Sequence, residues 1–386
     1  MDRVIYISPS GERRELEYSQ SVELPDFDMT KERLYLSLHR AFDEEIVPIL
    51  YDKNISSIKP RVDKLKLDIL PDNSSAIFFT SGTTGEPTGA LKSRDNIIKE
   101  LETLSKLFAP CGFDRVIVTV PLIHIYGFLA GVLLPRALGA DVVLKEEFLP
   151  HELIALAEDK KTLCITNPVF LKVLNKLKIE REHPNITFLS STGKLNPEVA
   201  KSLIDKIGCS IYQLFGSTET GGIAYKINDD ELWRPLEGVE ITQKDNHLCV
   251  ESAYISDFLI EDSLKRVERP FVTTDIIEIV GDSFRLLGRE SQIIKISGKR
   301  ISLLEIENLL EESDSIDEAL VKLAYDINSH KDEQLEISVV SLLGLIELKK
   351  EVKKILKNNY KNINIRANIK QVEDIPKNHM DKKIRK

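Results

Sequence analysis

Between Ser75 and about Tyr225, apolar runs of strand length alternate with amphipathic stretches of helical period. That alternation is the pattern of parallel strands joined by crossover helices, and it constrains the fold more than any other feature of the chain. The runs are Ala76 to Thr80, Val116 to Pro121, Asp141 to Leu144, Leu163 to Thr166, Thr187 to Ser190 and Ser210 to Leu214. The clearest helical pattern begins near Asp95 as a cap and places Ile98, Leu101, Leu104 and Phe108 on one face. Asn196-Pro197-Glu198 opens another helix, with proline in its favoured first turn. The region before Ser75 reads as a polar leader.

Beyond Trp233 the texture changes to short strands and turns. Ile276 to Val280 and Phe284 to Leu287 read as a hairpin about Gly281-Asp282. A strand at Ile293 to Ile296, a Ser297-Gly298-Lys299 turn, a helix from Leu303 to Leu310, two strand-like runs, a lysine-rich helix from Leu345 to Lys357 and a strand near Ile365 to Val372 complete an α+β order. The expected division is therefore a large α/β domain over 1–288 and a small α+β domain over 289–386. With 386 residues, 42% of them hydrophobic, the chain is long enough to bury two cores.

The N-terminus has no basic region followed by an apolar core, and the longest apolar stretch, Phe128 to Leu134, stops at Pro135 and Arg136. Neither secretion nor a membrane span is expected, and the cytoplasm is the expected location. Cys111, Cys164, Cys209 and Cys249 lie far apart and read as buried thiols of a reducing compartment. A net charge of -9 argues against general nucleic-acid binding, which rests on neutralising phosphates. The charge is uneven, however. From Leu348 the chain is rich in lysine and ends in Lys382-Lys383-Ile384-Arg385-Lys386, which suggests an anionic ligand or partner met by that end.

The run Ala76 to Thr80 leads into Ser81-Gly82-Thr83-Thr84-Gly85-Glu86-Pro87-Thr88-Gly89, and a helix is expected shortly after. Glycines let a backbone approach phosphate oxygens, and hydroxyls and N–H groups donate to them. The stretch reads as a phosphate cradle, with a polar turn as the alternative. It lacks the Gly-Lys-Ser/Thr ending of a Walker loop.

This loop resembles the phosphate-binding signature of the adenylate-forming superfamily, which includes acyl-CoA synthetases, aryl acid ligases, luciferases and peptide-synthetase adenylation domains. Further motifs follow in the family's order as far as the C-terminus. Pro121-Leu122-Ile123-His124-Ile125-Tyr126-Gly127 is similar to the motif beside the carboxylate pocket, and Ser191-Thr192-Gly193-Lys194-Leu195 stands where the family lines its acyl pocket and adenine site. Tyr212-Gln213-Leu214-Phe215-Gly216-Ser217-Thr218-Glu219-Thr220 is close to the Tyr-Gly-x-Thr-Glu block. Thr273-Thr274-Asp275, Gly288-Arg289, the Ser297-Gly298-Lys299 loop and Pro376-Lys377-Asn378 ahead of Lys382 match the later blocks.

The resemblance implies a compact acyl-CoA synthetase or acyl-acyl carrier protein ligase, with two domains joined by a hinge near Ser291. Thr80, Ser81, Gly82, Thr83, Thr84 and Gly85 would hold ATP phosphates, Thr218 the α-phosphate, and Asp275 and Arg289 the ribose. Glu219 would hold Mg²⁺, a hard cation suited to carboxylate oxygen. Tyr126, Gly127, Ser191, Thr192, Gly193, Phe215 and Gly216 would line the acid pocket, with His124 beside the reacting carboxylate. Lys382 would serve adenylation, with Lys383 as its neighbouring alternative, and Ser297, Gly298 and Lys299 the thiol step.

The substrate would be a small carboxylic acid without an amine, because the second motif lacks the acidic residue an amine requires. The acceptor would be CoA or a phosphopantetheine thiol, an acyl carrier protein being the candidate partner for the basic end. Residues before Thr80 would supply only part of the subdomain that relatives carry there. The chain departs from the pattern at Thr88, where the family has lysine, at Ser291, and at Asp381, whose charge would favour protonated Lys382. Those departures keep open a second reading, a nucleotide-binding pseudoenzyme or scaffold of the same fold. Luciferase-like oxygenation shares the motifs, but no residue favours it.

Overall fold

The computed structural model describes the chain apart from residues 1–2, 9, 17–28, 56, 66–69, 81–86, 291–292, 297–298, 325–333, 361–364, 378–382 and 384–386. It divides into two compact units, Met1–Thr242 with Cys249–Val272 and Gln243–Leu248 with Thr273–Lys386.

The first unit is layered α/β. Its largest sheet has the order β12 (Arg234–Pro235), β11 (Gly221–Ile227), β10 (Ser210–Ser217), β9 (Ile186–Ser190), β8 (Thr162–Thr166), β6 (Arg115–Val118), β7 (Asp141–Lys145), β1 (Val4–Ile7) and β2 (Arg13–Leu16). From β10 through β1 every neighbouring pair is parallel, while the outer strands β12, β11 and β2 pair antiparallel. Alternate residues face opposite sides, as the strand pleat requires. Val116, Val118, Val142, Leu144, Leu163, Ile165 and Leu189 join a core with the helices Lys31–Asp43 and Arg94–Phe108. Ile117, Val143, Cys164, Ile186 and Phe188 join the opposite core with Pro150–Ala157, Pro168–Lys176 and Pro197–Ile207.

The segment before Ser75 is not only a polar leader. The apolar run Val4-Ile5-Tyr6-Ile7 forms β1, in register with Val142 to Lys145 of β7, and Leu34, Tyr35, Leu36 and Leu38 are buried in the first core. The strand expected over Val116 to Pro121 is Arg115–Val118, three residues shorter at its end, although Thr119 N still donates to the carbonyl of Ile165 at 3.0 Å. The stretch Gly127–Leu133 is a π-helical turn that runs into the helix Leu134–Leu138, which contains Pro135 and Arg136. Cys164, Cys209 and Cys249 are buried, whereas Cys111 is half-buried. Burial pushes the Cys164 thiol up and the Cys209 thiol up to about 12, so neither is a thiolate at neutral pH. Among the described residues no helix is long and apolar enough to cross a membrane.

A second sheet of this unit has the order β16 (Leu264–Arg266), β15 (Phe258–Ile260), β5 (Thr88–Ser93), β4 (Ser74–Thr80) and β3 (Ile49–Leu50). Phe78 and Ala76 of β4 join the first core, and Ile77 and Phe79 join a separate cluster with Leu91 and Ile260. β4 and β5, on either side of the loop after Thr80, pair antiparallel with Thr80 opposite Thr88. The helix expected after the loop begins only at Arg94, since the apolar run Ala90-Leu91 is buried as a strand first. Its cap is Ser93 and not Asp95: Ser93 Oγ accepts from Asn96 N at 3.2 Å and Asn96 Oδ1 accepts from Ser93 N at 3.0 Å. β13 (Val239–Lys244) and β14 (His247–Ser252) carry the chain from the first unit to the second and back.

The second unit contains the hairpin of β17 (Phe271–Val280) and β18 (Ser283–Arg289), the latter reaching two residues past the expected Leu287, and the pair β19 (Ile293–Ile296) and β20 (Lys299–Ser302). A three-stranded sheet orders β21 (Glu318–Ala324), β22 (Gln334–Val340) and β23 (Ala367–Gln371), with β22 parallel to β23. The helices Leu303–Glu311 and Leu345–Asn359 bury Ile306, Leu310, Leu348, Val352 and Leu356 against it.

Candidate functional site

The parallel strands of the large sheet end together, and in open α/β sheets ligands bind beyond the carboxyl ends of such strands. Past β6 comes Pro121 to Gly127. Tyr126 is buried there, and its hydroxyl lies 2.6 Å from the carbonyl of Leu189 and 3.1 Å from that of Thr166, at the ends of β9 and β8. Burial pushes this phenol well up, so it remains a neutral donor. Gly127 is required at its position, because a Cβ would stand 1.9 Å from the carbonyl oxygen of Pro121. His124 is half-buried, and its carbonyl accepts from Phe128 N at 2.8 Å.

Past β9 stand Ser191, Thr192 and Gly193. Ser191 Oγ donates to the carbonyl of Leu214 in β10 at 2.8 Å. Thr192 has a φ of 78°, a left-handed conformation that costs a β-branched residue roughly 1–3 kcal/mol and is concentrated at functional sites. Gly193 is exposed. In β10 the pairing with β11 shifts register between Phe215 and Gly216, a bulge that re-aims the residues after it. Phe215 packs against Trp233 with ring centroids 5.4 Å apart.

The bulge leads into a turn knotted by its own hydroxyls. Ser217 N donates to Thr220 Oγ1 at 3.1 Å and Thr220 N donates to Ser217 Oγ at 3.1 Å, which leaves Thr218 and Glu219 half-buried at the tip. The Glu219 carbonyl accepts from Ser256 N at 2.8 Å and from Lys92 Nζ at 3.2 Å. Lys92 lies in β5, the strand that begins at Thr88 directly after the phosphate loop. Tyr126, Ser191, the Thr218-Glu219 turn and the loop's outgoing strand are thus linked by hydrogen bonds within one unit. Thr80 ends the incoming strand, half-buried, while Ser81, Gly82, Thr83, Thr84 and Gly85 lie outside the described residues.

Lys92 and Glu100 are both buried in this region, and sequence reasoning assigned neither a role. Burial pushes the Lys92 ammonium down, against the Glu100, Glu219 and Asp257 carboxylates. Burial pushes Glu100 up, against Lys92 and the Gly222 N–H. The signal was slight: a lysine within the apolar run Ala90-Leu91-Lys92, and a glutamate that helical period places beside Ile97 and Leu104.

In the second unit Asp275 and Arg289 stand opposite each other across β17 and β18, and Arg289 Nε donates to Asp275 Oδ1 at 3.2 Å. Asp275 is buried and takes a second restraint as its N–H donates to Thr273 Oγ1 at 3.1 Å. Ser291, Ser297, Gly298, Asp381 and Lys382 lie outside the described residues, and of Lys299 only the backbone, in β20, is described. Lys377 is ion-paired with Glu318, and Lys383 with Glu311 at 2.6 Å and Glu307 at 3.6 Å. Lys383 Nζ also donates to the carbonyl of Ala319 at 2.6 Å.

Among the described residues no group of three or more His, Cys, Asp or Glu side chains is arranged to hold a metal. Glu219 offers one half-buried carboxylate, which suits a cation that arrives with most of its ligands as phosphate oxygens and water.

The sequence pattern of the AMP-binding enzyme family matches residues 17–248. A putative long chain fatty acid-CoA ligase, VraA of Staphylococcus aureus, is 26% identical over 330 residues, covering 81% of this chain and 69% of that protein. The medium-chain fatty-acid–CoA ligase of Escherichia coli is 26% identical over 277 residues, covering 65% of this chain and 49% of the ligase. The fold is similar to that of ATP-bound MatB from Rhodopseudomonas palustris, with a TM-score of 0.74, 17% identity, and coverage of 99% of this chain and 94% of that one. With the family's pattern spanning the loop, both pocket motifs and the Thr-Glu turn, this chain belongs to the AMP-binding enzymes of the adenylate-forming superfamily.

Proposed function

We propose that the chain is an AMP-forming acid-thiol ligase. A carboxylate oxygen attacks the α-phosphorus of ATP, pyrophosphate leaves, and a thiol sulfur then attacks the acyl carbon of the mixed anhydride so that AMP leaves as a thioester forms. The observation that carries this reading is the hydrogen-bonded linkage of the carboxylate-pocket motif, the acyl-pocket motif, the Thr218-Glu219 turn and the strand leaving the phosphate loop.

Joining two anions requires charge neutralisation at the forming bond. Thr80, Ser81, Gly82, Thr83, Thr84 and Gly85 hold the phosphates, Thr218 the α-phosphate, and Asp275, oriented by Arg289, accepts from the ribose hydroxyls. Mg²⁺, when bound, supplies charge at the phosphate oxygens, and Glu219 is the side chain that holds it. Tyr126, with its hydroxyl committed to two carbonyls, gives the acid pocket a fixed wall, with Gly127, Ser191, Thr192, Gly193, Phe215 and Gly216 around it and His124 at the carboxylate. Lys382 supplies the adenylation cation. Its neighbour Lys383 is engaged with Glu307, Glu311 and Ala319, which supports Lys382 over Lys383 in that role. A hinge near Ser291 then exchanges Lys382 for the Ser297-Gly298-Lys299 loop.

The thiol we assign is the phosphopantetheine arm of an acidic acyl carrier protein, with CoA as the alternative. Lys349, Lys350, Lys353, Lys354 and Lys357 are exposed along the helix Leu345–Asn359, a basic face that suits such a partner. Incubating the enzyme with ATP, a panel of amine-free acids and either CoA or holo-carrier, with thioesters read by mass spectrometry, tests the assignment. Acyl-carrier formation above acyl-CoA is expected, and thioester on CoA equal to or above that on every carrier overturns it. The pseudoenzyme reading is favoured by Thr88, which removes a cation from beside the departing pyrophosphate. It predicts ATP binding with no AMP formed from any acid.

A further inference from the structure

We infer that Lys92 and Glu100 form a buried clamp that positions the Thr218-Glu219 turn for its cation. The inference rests on the reading of Glu219 given above, and it adds two positioning residues from outside every motif that carries the family resemblance.

Lys92 stands opposite Ala76 in the β4–β5 pairing, two residues from Ala90, and so shares the core-facing side of β5. It is 1% exposed. A lysine there must spend its protons on fixed acceptors, and it does so on two carbonyls, Glu219 at 3.2 Å and Tyr254 at 2.6 Å. Glu100, 3% exposed on the helix Arg94–Phe108, approaches the same turn from its other end, and its Oε1 accepts from Gly222 N at 2.7 Å. The turn from Glu219 to Gly222 is thereby held at its first carbonyl by the Lys92 side chain and at its last N–H by a carboxyl oxygen of Glu100. No tip side chain is used, so Thr218 and Glu219 remain available for ligand.

The glycines that follow the tip fit around this arrangement. Gly221 has a φ of 72°, and a Cβ there would meet Glu100 Oε2 at 2.4 Å, while a Cβ on Gly222 would meet Glu100 Oε1 at 3.1 Å. The backbone is therefore packed directly on the Glu100 carboxylate. The surrounding contacts fix the clamp's two halves to the same segment, since Asn96 Nδ2 donates to Ala253 O at 2.8 Å and Thr103 Oγ1 meets Tyr254 Oη at 2.6 Å. Lys92 also joins the turn to the strand whose first residue, Thr88, follows the phosphate loop. Loop and turn must act on the same phosphates, and this lysine sets one against the other.

The test compares wild type with Lys92→Met and with the double variant Lys92→Met/Glu100→Gln. The double variant keeps an acceptor for Gly222 N and leaves no unpaired buried charge, so it folds even where the single variant does not. Lys31→Met, which loses another buried lysine bonded to Val118 O, serves as the control for loss of a buried cation. Amide hydrogen exchange of the peptide covering Ser217 to Gly222 is expected to quicken at least tenfold in the Lys92 variants and to stay as wild type in Lys31→Met. In acid-dependent pyrophosphate exchange, the Mg²⁺ concentration for half-maximal rate is expected to rise severalfold while the KM for the acid is unchanged.

Unchanged protection of the turn and an unchanged Mg²⁺ requirement in the double variant overturn the clamp. Equal loosening of the turn in Lys31→Met also overturns it, since that would mark general destabilisation. If wild type exchanges no pyrophosphate with any acid, the ligase reading fails instead, and the hydrogen-exchange comparison alone decides the clamp.

Discussion

At the scale of single residues, buried polar groups distinguish this chain from a generic layered α/β unit. His39, in the helix Lys31–Asp43, is 1% exposed, and burial together with Arg136 pushes its imidazole down to about 4 against the pull of Asp43. The unfolded chain therefore takes up this proton near pH 6.5 and the folded chain only near pH 4. Its contribution is fully present above pH 6.5 and is lost as pH falls through that window, up to about 3 kcal/mol. Urea unfolding of His39→Leu is expected to show a flatter dependence on pH between 6.5 and 4 than wild type, and parallel curves would count against the assignment. Lys92 and Glu100 are buried as well, and each depends on backbone partners, the carbonyls of Glu219 and Tyr254 for Lys92 and the Gly222 N–H for Glu100. Neither was legible as a site residue, because a lysine in a strand and a glutamate in a helix are ordinarily solvated, and only the packing of β5 and the helix Arg94–Phe108 buries them together.

At the scale of elements, the site is made where regular structure is interrupted. The π-helical turn Gly127–Leu133, the bulge after Phe215 and the left-handed Thr192 each follow the end of a strand in the large sheet or break into it. The closest approach is at Gly127, where an added methyl collides with the carbonyl of Pro121. Gly127→Ala is expected to cost about 1–3 kcal/mol by overpacking and to lower kcat/KM for the acid more than for ATP, because the displaced segment carries His124 and Tyr126. Equal losses for both substrates in steady-state kinetics would detach this turn from the acid pocket.

The parallel strands were legible because strands covered on both faces read as unbroken apolar runs. The pairing of β4 with β5 was not, since Thr88 to Ser93 mixes polar with apolar residues and its burial depends on β15, which is distant in sequence. The helix Arg94–Phe108 was legible in its existence but not in its inner face: Asn96, Glu100 and Thr103 are buried there, while Ile98 and Leu101 are only half-buried. A period drawn from apolar residues alone could not see a face built on hydrogen bonds.

At the scale of the molecule, the two units carry separate parts of the proposed chemistry. The first holds the phosphate loop, the acid pocket and the Thr-Glu turn, and the second holds the Asp275–Arg289 pair and the ends of the segment around Lys382. Lys383, next to Lys382 in the sequence, is ion-paired with Glu307 and Glu311, so Lys383→Met is expected to destabilise the second unit by about 1.5–3 kcal/mol and to slow adenylation severalfold at unchanged ATP affinity. An adenylation rate as fast as wild type would show that the anchor does not position Lys382. The family motifs were legible through resemblance because each uses residues whose chemistry is rarely interchangeable, such as glycine at close backbone approach and carboxylate at a cation.

The central claim is that this chain activates a carboxylic acid as its adenylate. Acid-dependent exchange of labelled pyrophosphate into ATP measures that step without regard to the acceptor thiol. The account predicts exchange with at least one amine-free acid, reduced about 10²–10³-fold or more by Lys382→Ala while ATP still binds. ATP binding without exchange for any acid, or exchange undiminished in Lys382→Ala, would contradict it.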